Sequence, residues 1–137
     1  MITFLFYFFL FSFFLNFLWE MTQIPLYLSR ALGDYSDIRR AIKIRWRVSI
    51  FDAITILVAY SLVSIILQDM YWVYSWNIGW IIFVGGLLVW QISVEYVSVY
   101  TLHRWAYASG MPQIFGIGLS PLLQMMILPV FAILLAR

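Results

Sequence analysis

The chain has 137 residues, of which 65% are hydrophobic and only 10% are charged, and its formal net charge is +2. Soluble domains contain about 25% charged residues, so this composition excludes a soluble globular domain and indicates an integral membrane protein. The small net charge does not indicate nucleic-acid binding. The absence of cysteine excludes disulfides, iron–sulfur clusters and thiolate metal sites.

Four hydrophobic segments approach the roughly 20 residues that a helix needs to cross a bilayer. The sequence therefore predicts an all-α fold, a bundle of four transmembrane helices in one domain over residues 1–137. The predicted spans cover residues 3–26, 49–67, 78–100 and 113–135. The first segment is interpreted as a span rather than a signal peptide because it has no basic n-region.

Basic residues are concentrated in the loops after the first and third spans. They are Arg30, Arg39, Arg40, Lys43, Arg45 and Arg47 in the first loop and Arg104 in the second. Because cytoplasmic loops carry an excess of Lys and Arg, both loops are predicted to be cytoplasmic and both termini to face outward. The aromatic residues between positions 71 and 80 are expected to form a belt at the opposite interface. A bacterial inner (cytoplasmic) membrane is the expected location.

The first span contains a carboxylate, Glu20, next to Trp19. A charge at this depth costs roughly 2.5–3.5 kcal/mol on insertion scales, so it is expected to face protein, to have a partner and to mark a function. Asn16, Glu20 and Gln23 follow offsets of four and three residues and therefore share one helix face, which Tyr27 continues. This polar face is predicted to turn toward the interior of the bundle.

The basic loop over residues 29–47 contains three potential helix caps. Any of them can begin a short helix that runs into the second span: Asp34, Ser36 and Asp37. In that helix Arg39, Lys43 and Arg47 form one cationic stripe. The stripe either serves only to orient the protein, or attracts anionic headgroups or a phosphate-bearing substrate.

Two more carboxylates lie in the cytoplasmic half of the predicted bundle. Asp52 is near the start of the second span, and Glu95 follows Gln91 by one turn late in the third. Because hydrocarbon cannot hydrogen-bond such groups, we expect Glu20, Asp52 and Glu95 to share a polar pocket that opens toward the cytoplasm. The alternative is structural: the acids hold helices together, or Asp52 pairs with Arg45 or Arg47.

His103 is the only histidine of the chain. One imidazole excludes multi-histidine metal and haem sites. A mixed carboxylate–histidine site stays open, but the sequence is interpreted as having no metal and no cofactor. His103 is either an interfacial residue in an aromatic row or a proton carrier, a role to which histidine is suited.

The fourth span begins with several glycines and prolines. Pro121 cannot donate a backbone hydrogen bond to Ile117, which predicts a kink or a broken helix. The carbonyl groups freed by proline need partners, and Gln124, water or a ligand can supply them.

Two motifs resemble a family of small, uncharacterised bacterial polytopic membrane proteins: Trp19-Glu20-x-x-Gln23-x-Pro25-Leu26-Tyr27 and Gly116-x-Gly118-Leu119-Ser120-Pro121-Leu122-Leu123-Gln124. The shorter motif Asn16-x-x-Trp19-Glu20 is similar to one in integral membrane terpene cyclases. Those cyclases are longer and have more spans, and their glutamate donates a proton to an isoprenoid epoxide. The resemblance implies that role for Glu20 only.

The leading hypothesis is a membrane enzyme that performs acid–base chemistry on an isoprenoid or another membrane lipid. The proposed catalytic residues are Glu20, Glu95, Asp52 and His103, and the proposed substrate-binding residues are Asn16, Trp19, Gln23, Gln91, Arg104 and Gln124. Glu20 is the expected general acid, and a second carboxylate or His103 accepts a proton. Aromatic rings such as Trp19 are expected to stabilise a developing carbocation.

Two other functions are open. An accessory subunit of a larger membrane complex, or a homo-oligomer, would use the acids to bind basic residues of a partner. A proton or solute pathway would need polar residues across the whole bilayer, whereas the outer halves of these spans offer little beyond Ser61, Ser64 and Asn77.

Overall fold

The structure, a computed structural model, describes residues 1–29 and 38–137, and 78% of it is helical. The described residues include four long helices: α1 (Ile2–Gln23), α2 (Ile38–Leu67), α3 (Ile78–Tyr96) and α4 (Leu119–Ala136). Each is long and apolar enough to cross a membrane. The predicted all-α bundle of four transmembrane helices is therefore confirmed.

Helix α1 lies at the centre of the packing, against both α2 and α4. Its buried residues recur about every four positions, which is the spacing that places side chains on one face. They are Phe4, Phe8, Ser12, Phe13, Asn16, Glu20 and Gln23. The face therefore changes from aromatic near the N-terminus to polar near the C-terminus, and the bundle has an aromatic end and a polar end.

The aromatic end has a core of Phe8, Tyr60, Trp72 and Phe83. The ring centroids of Phe8 and Tyr60 lie 5.6 Å apart, and Trp72 follows at 5.6 Å from Tyr60 and 5.5 Å from Phe83. The Trp72 indole donates a hydrogen bond to the Ser64 hydroxyl (3.1 Å). Large rings thus fill the interior at this end, and the indole nitrogen of Trp72 has a hydrogen-bond partner.

The aromatic belt predicted between residues 71 and 80 is only partly at the surface. Tyr71, Tyr74 and Trp76 are exposed, but Trp72 and Trp80 are buried. The connection between α2 and α3 contains a short 3-10 helix (Trp72–Tyr74), in which Trp72 is buried. Hydropathy alone does not distinguish these two environments, since an aromatic ring suits both.

Helix α2 begins at Ile38, well before the predicted start of the second span at residue 49. No proline or glycine interrupts residues 38–67, so one continuous helix includes Arg39, Lys43 and Arg47. The predicted basic loop is thus partly a helix that runs straight into the span. Four residues discussed above lie outside the described residues: Arg30, Asp34, Ser36 and Asp37.

Helix α4 begins at Leu119, later than the predicted residue 113. The preceding residues form a small hairpin of β3 (Gln113–Ile114) and β4 (Ile117–Gly118), with Gly116 at φ +80° in its turn. Pro121 is consequently in the first turn of the helix, where its missing N–H has no intrahelical acceptor to lose. It breaks no helical hydrogen bond, and proline occurs inside α4 at Pro129.

A short two-stranded sheet joins the polar ends of α1 and α3. Strand β1 (Tyr27–Ser29) pairs antiparallel with β2 (Trp105–Tyr107), with Tyr27 opposite Tyr107. A 3-10 turn (Ile24–Leu26) leads into β1, and a π-helical segment (Val97–Thr101) extends α3. The sheet fixes the spacing of the two helices at the polar end.

Both termini lie at the aromatic end. The Arg137 guanidinium is 5.4 Å from the ring of Tyr74 and 5.5 Å from that of Trp80, and the Phe4 ring is 6.3 Å from that of Tyr74. A chain with an even number of spans has both termini at the same end of the bundle. The outward orientation of the termini stays a prediction.

Candidate functional site

A cavity of about 780 Å³ lies at the polar end of the bundle. Its walls include the three carboxylates of the spans: Glu20 of α1, Asp52 of α2 and Glu95 of α3. All three are buried within the protein. The expectation that these acids share one pocket is therefore confirmed, whereas its opening toward the cytoplasm stays a prediction.

Glu20 forms an ion pair with Arg45, with 2.5 Å between Oε2 and Nη1. The Arg45 side chain is only 7% exposed and that of Glu20 10%. Burial of two charges is costly, so such a pair is kept only where each charge has its partner. The partner expected for Glu20 thus comes from the basic stretch of α2. Arg45 pairs with Glu20 rather than with Asp52.

The remaining donors of Arg45 are not used within the described part of the chain. Its Nε and Nη2 atoms are buried and have no hydrogen-bond partner among the described residues. A guanidinium has five N–H donors in a planar fork that fits carboxylate and phosphate groups. Arg45 therefore faces the cavity with unused capacity for an anion.

Glu95 accepts at least three side-chain hydrogen bonds. The Tyr107 hydroxyl and the Trp105 indole donate to Oε2 at 2.6 and 3.3 Å, and the Gln91 amide donates to Oε1 at 3.3 Å. Donors of this kind stabilise the charged form of a carboxylate. Burial and the hydrogen bond to Glu95 raise the pKa of Tyr107, which remains a donor.

Tyr27 lines the same region from β1. Burial, and then the nearby charges of Glu95 and Glu20, raise the pKa of the Tyr27 phenol well above its usual value of about 10. Its hydroxyl is thus kept protonated next to the carboxylates. Tyr27 lines the cavity and Tyr107 reaches Glu95 from β2 without lining it, and neither phenol ionises at ordinary pH.

Asp52 is connected to a network of amides. Gln124 Nε2 donates to Asp52 Oδ2 (3.2 Å) and to Asn16 Oδ1 (2.8 Å), and Gln124 Oε1 accepts from Gln23 Nε2 (2.6 Å). Gln124 lines the cavity, but Asn16 and Gln23 lie behind it. Asn16 and Gln23, which the sequence analysis proposes as substrate-binding residues, therefore position Gln124 and do not line the cavity.

Trp19 also lies away from the cavity. The indole N–H of Trp19 is buried without a partner among the described residues. The aromatic rings that do line the cavity belong to Phe51, Trp90 and Trp105, besides Tyr27. Trp19 adjoins Glu20 in the sequence but not in the site, because neighbouring residues on a helix point about 100° apart.

His103 and Arg104 line the cavity from its exposed side. His103 has φ +47°, and its Nδ1 lies 3.1 Å from the Val99 carbonyl oxygen. This left-handed conformation, uncommon outside glycine, follows the π-helical segment and turns the chain back toward β2. Both residues remain open to solvent at the rim of the site.

Seven of the ten residues proposed from the sequence line the cavity: Glu20, Asp52, Glu95, His103, Gln91, Arg104 and Gln124. Sequence analysis missed the contribution of Arg45, Trp105 and Tyr107. A signal existed for Arg45, since Arg45, Ser49 and Asp52 follow the same four-and-three spacing as the polar row of α1. Trp105 and Tyr107 alternate on a strand, which places both on one side.

Comparisons of the chain with protein-family models, with curated proteins and with solved structures give no significant match. The functional argument therefore depends on the site itself. Its elements are two carboxylates hydrogen-bonded to neutral donors, a carboxylate paired with arginine, and a histidine and an arginine at the rim. Such a set can give and accept protons next to apolar walls.

Proposed function

We propose that this protein is a membrane enzyme that performs acid–base chemistry, an isomerisation, cyclisation or hydration, on an isoprenoid or another membrane lipid. The observation that supports the proposal is the convergence of Glu20, Asp52 and Glu95 from three helices on one cavity. Ionisable residues at membrane depth are expensive, and a cluster of them in a cavity suggests a function. The expected location is a bacterial inner membrane.

The hydrogen bonds suggest different roles for the acids. Asp52 accepts one described side-chain hydrogen bond, from an amide, whereas Glu95 accepts at least three. Because fewer donors stabilise a carboxylate less, Asp52 is the proposed proton donor and Glu95 the proposed acceptor. Glu20, which the sequence suggested as the acid, instead has its charge paired with Arg45.

In the proposed reaction Asp52 gives its proton to a double bond or an epoxide oxygen. Glu95 then takes a proton from carbon, which yields an isomer or a ring. Transfer of that proton back to Asp52 restores the enzyme. In a hydration, water adds to the carbocation and loses the proton to Glu95. Trp90 and Trp105 line the cavity and would stabilise the cation by about 0.5–2 kcal/mol each.

The intramolecular ion pair supports an enzyme over an accessory subunit. A subunit was expected to use its acids to bind basic residues of a partner. Glu20 already has Arg45, and Asp52 and Glu95 have donors within the chain. The resemblance to terpene cyclases suggests the isoprenoid class for the substrate.

The test is lipid conversion by membranes that contain the protein or the variant Asp52→Asn. The wild type is expected to convert a lipid of the extract into a product of equal mass and new retention time, or one heavier by one water. Asp52→Asn keeps an oxygen that can accept from Gln124 but loses the acid, so the rate should fall at least about 100-fold.

The control variant is Asp69→Asn. Asp69 is exposed at the aromatic end and accepts a hydrogen bond from the Tyr71 amide. It should convert the lipid at the wild-type rate. Absence of any product with the wild type, or equal rates for wild type and Asp52→Asn, would overturn the proposed function.

A further inference from the structure

A second, apolar groove of about 530 Å³ runs along the outside of the bundle between α2 and α3. Helix α2 contributes a stripe of apolar residues at helical spacing, and α3 contributes glycine, aliphatic and aromatic residues opposite it. The principal lining residues are Ile54, Val58, Leu62, Ile66, Gly86 and Leu87. A groove of this composition offers contact to hydrocarbon and to little else.

The groove and the polar cavity adjoin each other. Phe51 and Trp90 line both of them. From Phe51 to Ile66 the groove extends over roughly 22 Å, since a helix rises 1.5 Å per residue. A molecule with its polar head in the cavity can therefore lay a long hydrocarbon chain in the groove.

The join between the groove and the cavity indicates what occupies the groove. Phe51 and Trp90 belong to both, so one molecule with a charged head and a hydrocarbon chain would fill the two together. A helix from a partner subunit or a second copy of this chain would cover the apolar groove but leave the polar cavity unfilled. The shared walls thus favour a lipid.

The polar cavity, which the groove adjoins, contains three arginines. They are Arg45, Arg47 and Arg104. Arg45 has two buried nitrogens without a partner, and neither Arg47 nor Arg104 forms an ion pair with any residue in the described ranges 1–29 and 38–137. Three guanidinium groups, whose donors are not all used by residues 1–29 and 38–137, suit a multiply charged phosphate better than a single carboxylate.

We propose that the site binds a phosphate-bearing lipid, with its phosphate at Arg45, Arg47 and Arg104 and its hydrocarbon chain along the α2–α3 groove. This inference rests on the proposed function and names the substrate class of the same site. The phosphate anchors the lipid at the rim. The first part of its chain then lies beside Asp52 and Glu95, where acid–base chemistry needs it.

The headgroup is tested by isothermal titration calorimetry of the purified full chain in a neutral maltoside detergent. The probes are hexadecyl phosphate, hexadecanol and inorganic phosphate. Hexadecyl phosphate is expected to bind at least about tenfold more tightly than either of the others, because only it satisfies both parts of the site. Equal affinity for hexadecanol or for inorganic phosphate would overturn the proposal.

The arginines are tested with a matched pair one turn apart on α2. Arg47→Gln removes a charge that lines the cavity, and Lys43→Gln removes an exposed charge that does not. The first should weaken hexadecyl phosphate binding about tenfold, and the second should change it less than about twofold. Equal effects would mean general attraction to a basic surface and would contradict the proposal.

The groove is tested with two adjacent glycines of α3. A Cβ atom at Gly86 or at Gly85 would meet no atom within 4 Å apart from its own helix backbone, so leucine causes no clash at Cβ at either position. Only Gly86 lines the groove. Gly86→Leu should therefore weaken hexadecyl phosphate binding at least about tenfold, whereas Gly85→Leu, with the same gain in helix propensity, should bind as the wild type does.

Equal binding by the two leucine variants would show that the chain lies elsewhere and would overturn the inference. These titrations measure binding of a saturated lipid on which the proposed chemistry cannot act. Failure of the substrate assignment is thus distinct from failure of the proposed function, which is measured by lipid conversion.

Discussion

The two ends of the bundle use the same helices in opposite ways. At the aromatic end, Trp72 and Phe83 are fully buried and adjoining rings are separated by about 5.5 Å. At the polar end, Glu20, Asp52 and Glu95 surround a cavity of about 780 Å³. A tightly packed half stabilises the fold, and the open half, with its costly charges, is where we propose that the function lies.

The comparison also shows how each end satisfies its polar atoms. At the aromatic end the polar atoms are few and bond locally, as Tyr60 does to the Met70 carbonyl. At the polar end the bonds connect distant elements, as between Gln23 and Gln124. The polar end therefore depends on correct assembly of all helices, and five predictions test this contrast.

The largest loss of stability is expected for Trp72→Ala. Removal of a fully buried indole leaves a cavity, and we expect the free energy of unfolding in detergent micelles to fall by about 5 kcal/mol. Trp76→Ala is the control, since Trp76 is 79% exposed and should cost less than about 0.5 kcal/mol. Similar losses would mean that the aromatic end has no specific core.

The next largest effect is expected at the buried ion pair. Arg45→Met leaves the Glu20 carboxylate unpaired, which should cost about 3 kcal/mol of unfolding free energy. Glu20→Gln combined with Arg45→Met should cost less than the sum of the single variants. Additive losses would contradict a direct interaction. Arg47→Met, at an exposed site on the same helix, is the control.

A smaller effect is expected for Tyr107→Phe, which removes a hydrogen bond to Glu95. We expect a loss of about 1.5 kcal/mol, at the lower end for a charged acceptor because the ring is half-buried. The exposed Tyr96→Phe should lose less than about 0.5 kcal/mol. An equal loss in both would show that the bond to Glu95 contributes nothing.

The same tyrosine predicts a pH dependence. The folded protein holds the pKa of Tyr107, and that of Tyr27, above the unfolded value of about 10. Their stabilisation is therefore complete below about pH 10 and is lost as pH rises above it, because the unfolded chain ionises first. Tyr107→Phe should show a shallower loss of unfolding free energy above pH 10, and an unchanged slope would contradict this.

The smallest effect is expected for Asp69→Asn. The exposed carboxylate of Asp69 accepts from the Tyr71 amide at 2.7 Å in a local turn, and asparagine can make the same bond. The free energy of unfolding should change by less than about 0.5 kcal/mol. A larger loss would mean that the connection at the aromatic end depends on the charge.

The spans were predictable because hydrophobic length is a local property. Their boundaries were not. Helix α2 begins at Ile38 because nothing interrupts the helix, so the short helix predicted in the basic stretch and the span predicted from residue 49 are one helix. Helix α4 begins at Leu119 because the hairpin over 113–118 precedes it. Hydropathy indicates which residues lie in the hydrocarbon layer of the membrane. It does not indicate at which residue helical hydrogen bonding begins.

The site was predictable in its acids and less so in its partners. Helical spacing correctly placed Glu20 on a buried polar face with Asn16 and Gln23. It did not show that the two amides hold Gln124, which is more than 100 residues away in the sequence. Periodicity describes one helix at a time, whereas such a contact requires two.

The sequence by itself determined the class of this protein, the number of its spans and the shared helix face of Glu20 with Asn16 and Gln23, because each follows from composition and local periodicity. Only the tertiary structure decided that Glu20 pairs with Arg45 and that Phe51 and Trp90 connect a polar cavity to an apolar groove. These contacts depend on how α1, α2 and α3 pack in three dimensions. The cost of a buried charge predicts that Glu20 has a partner, but packing geometry selects which one.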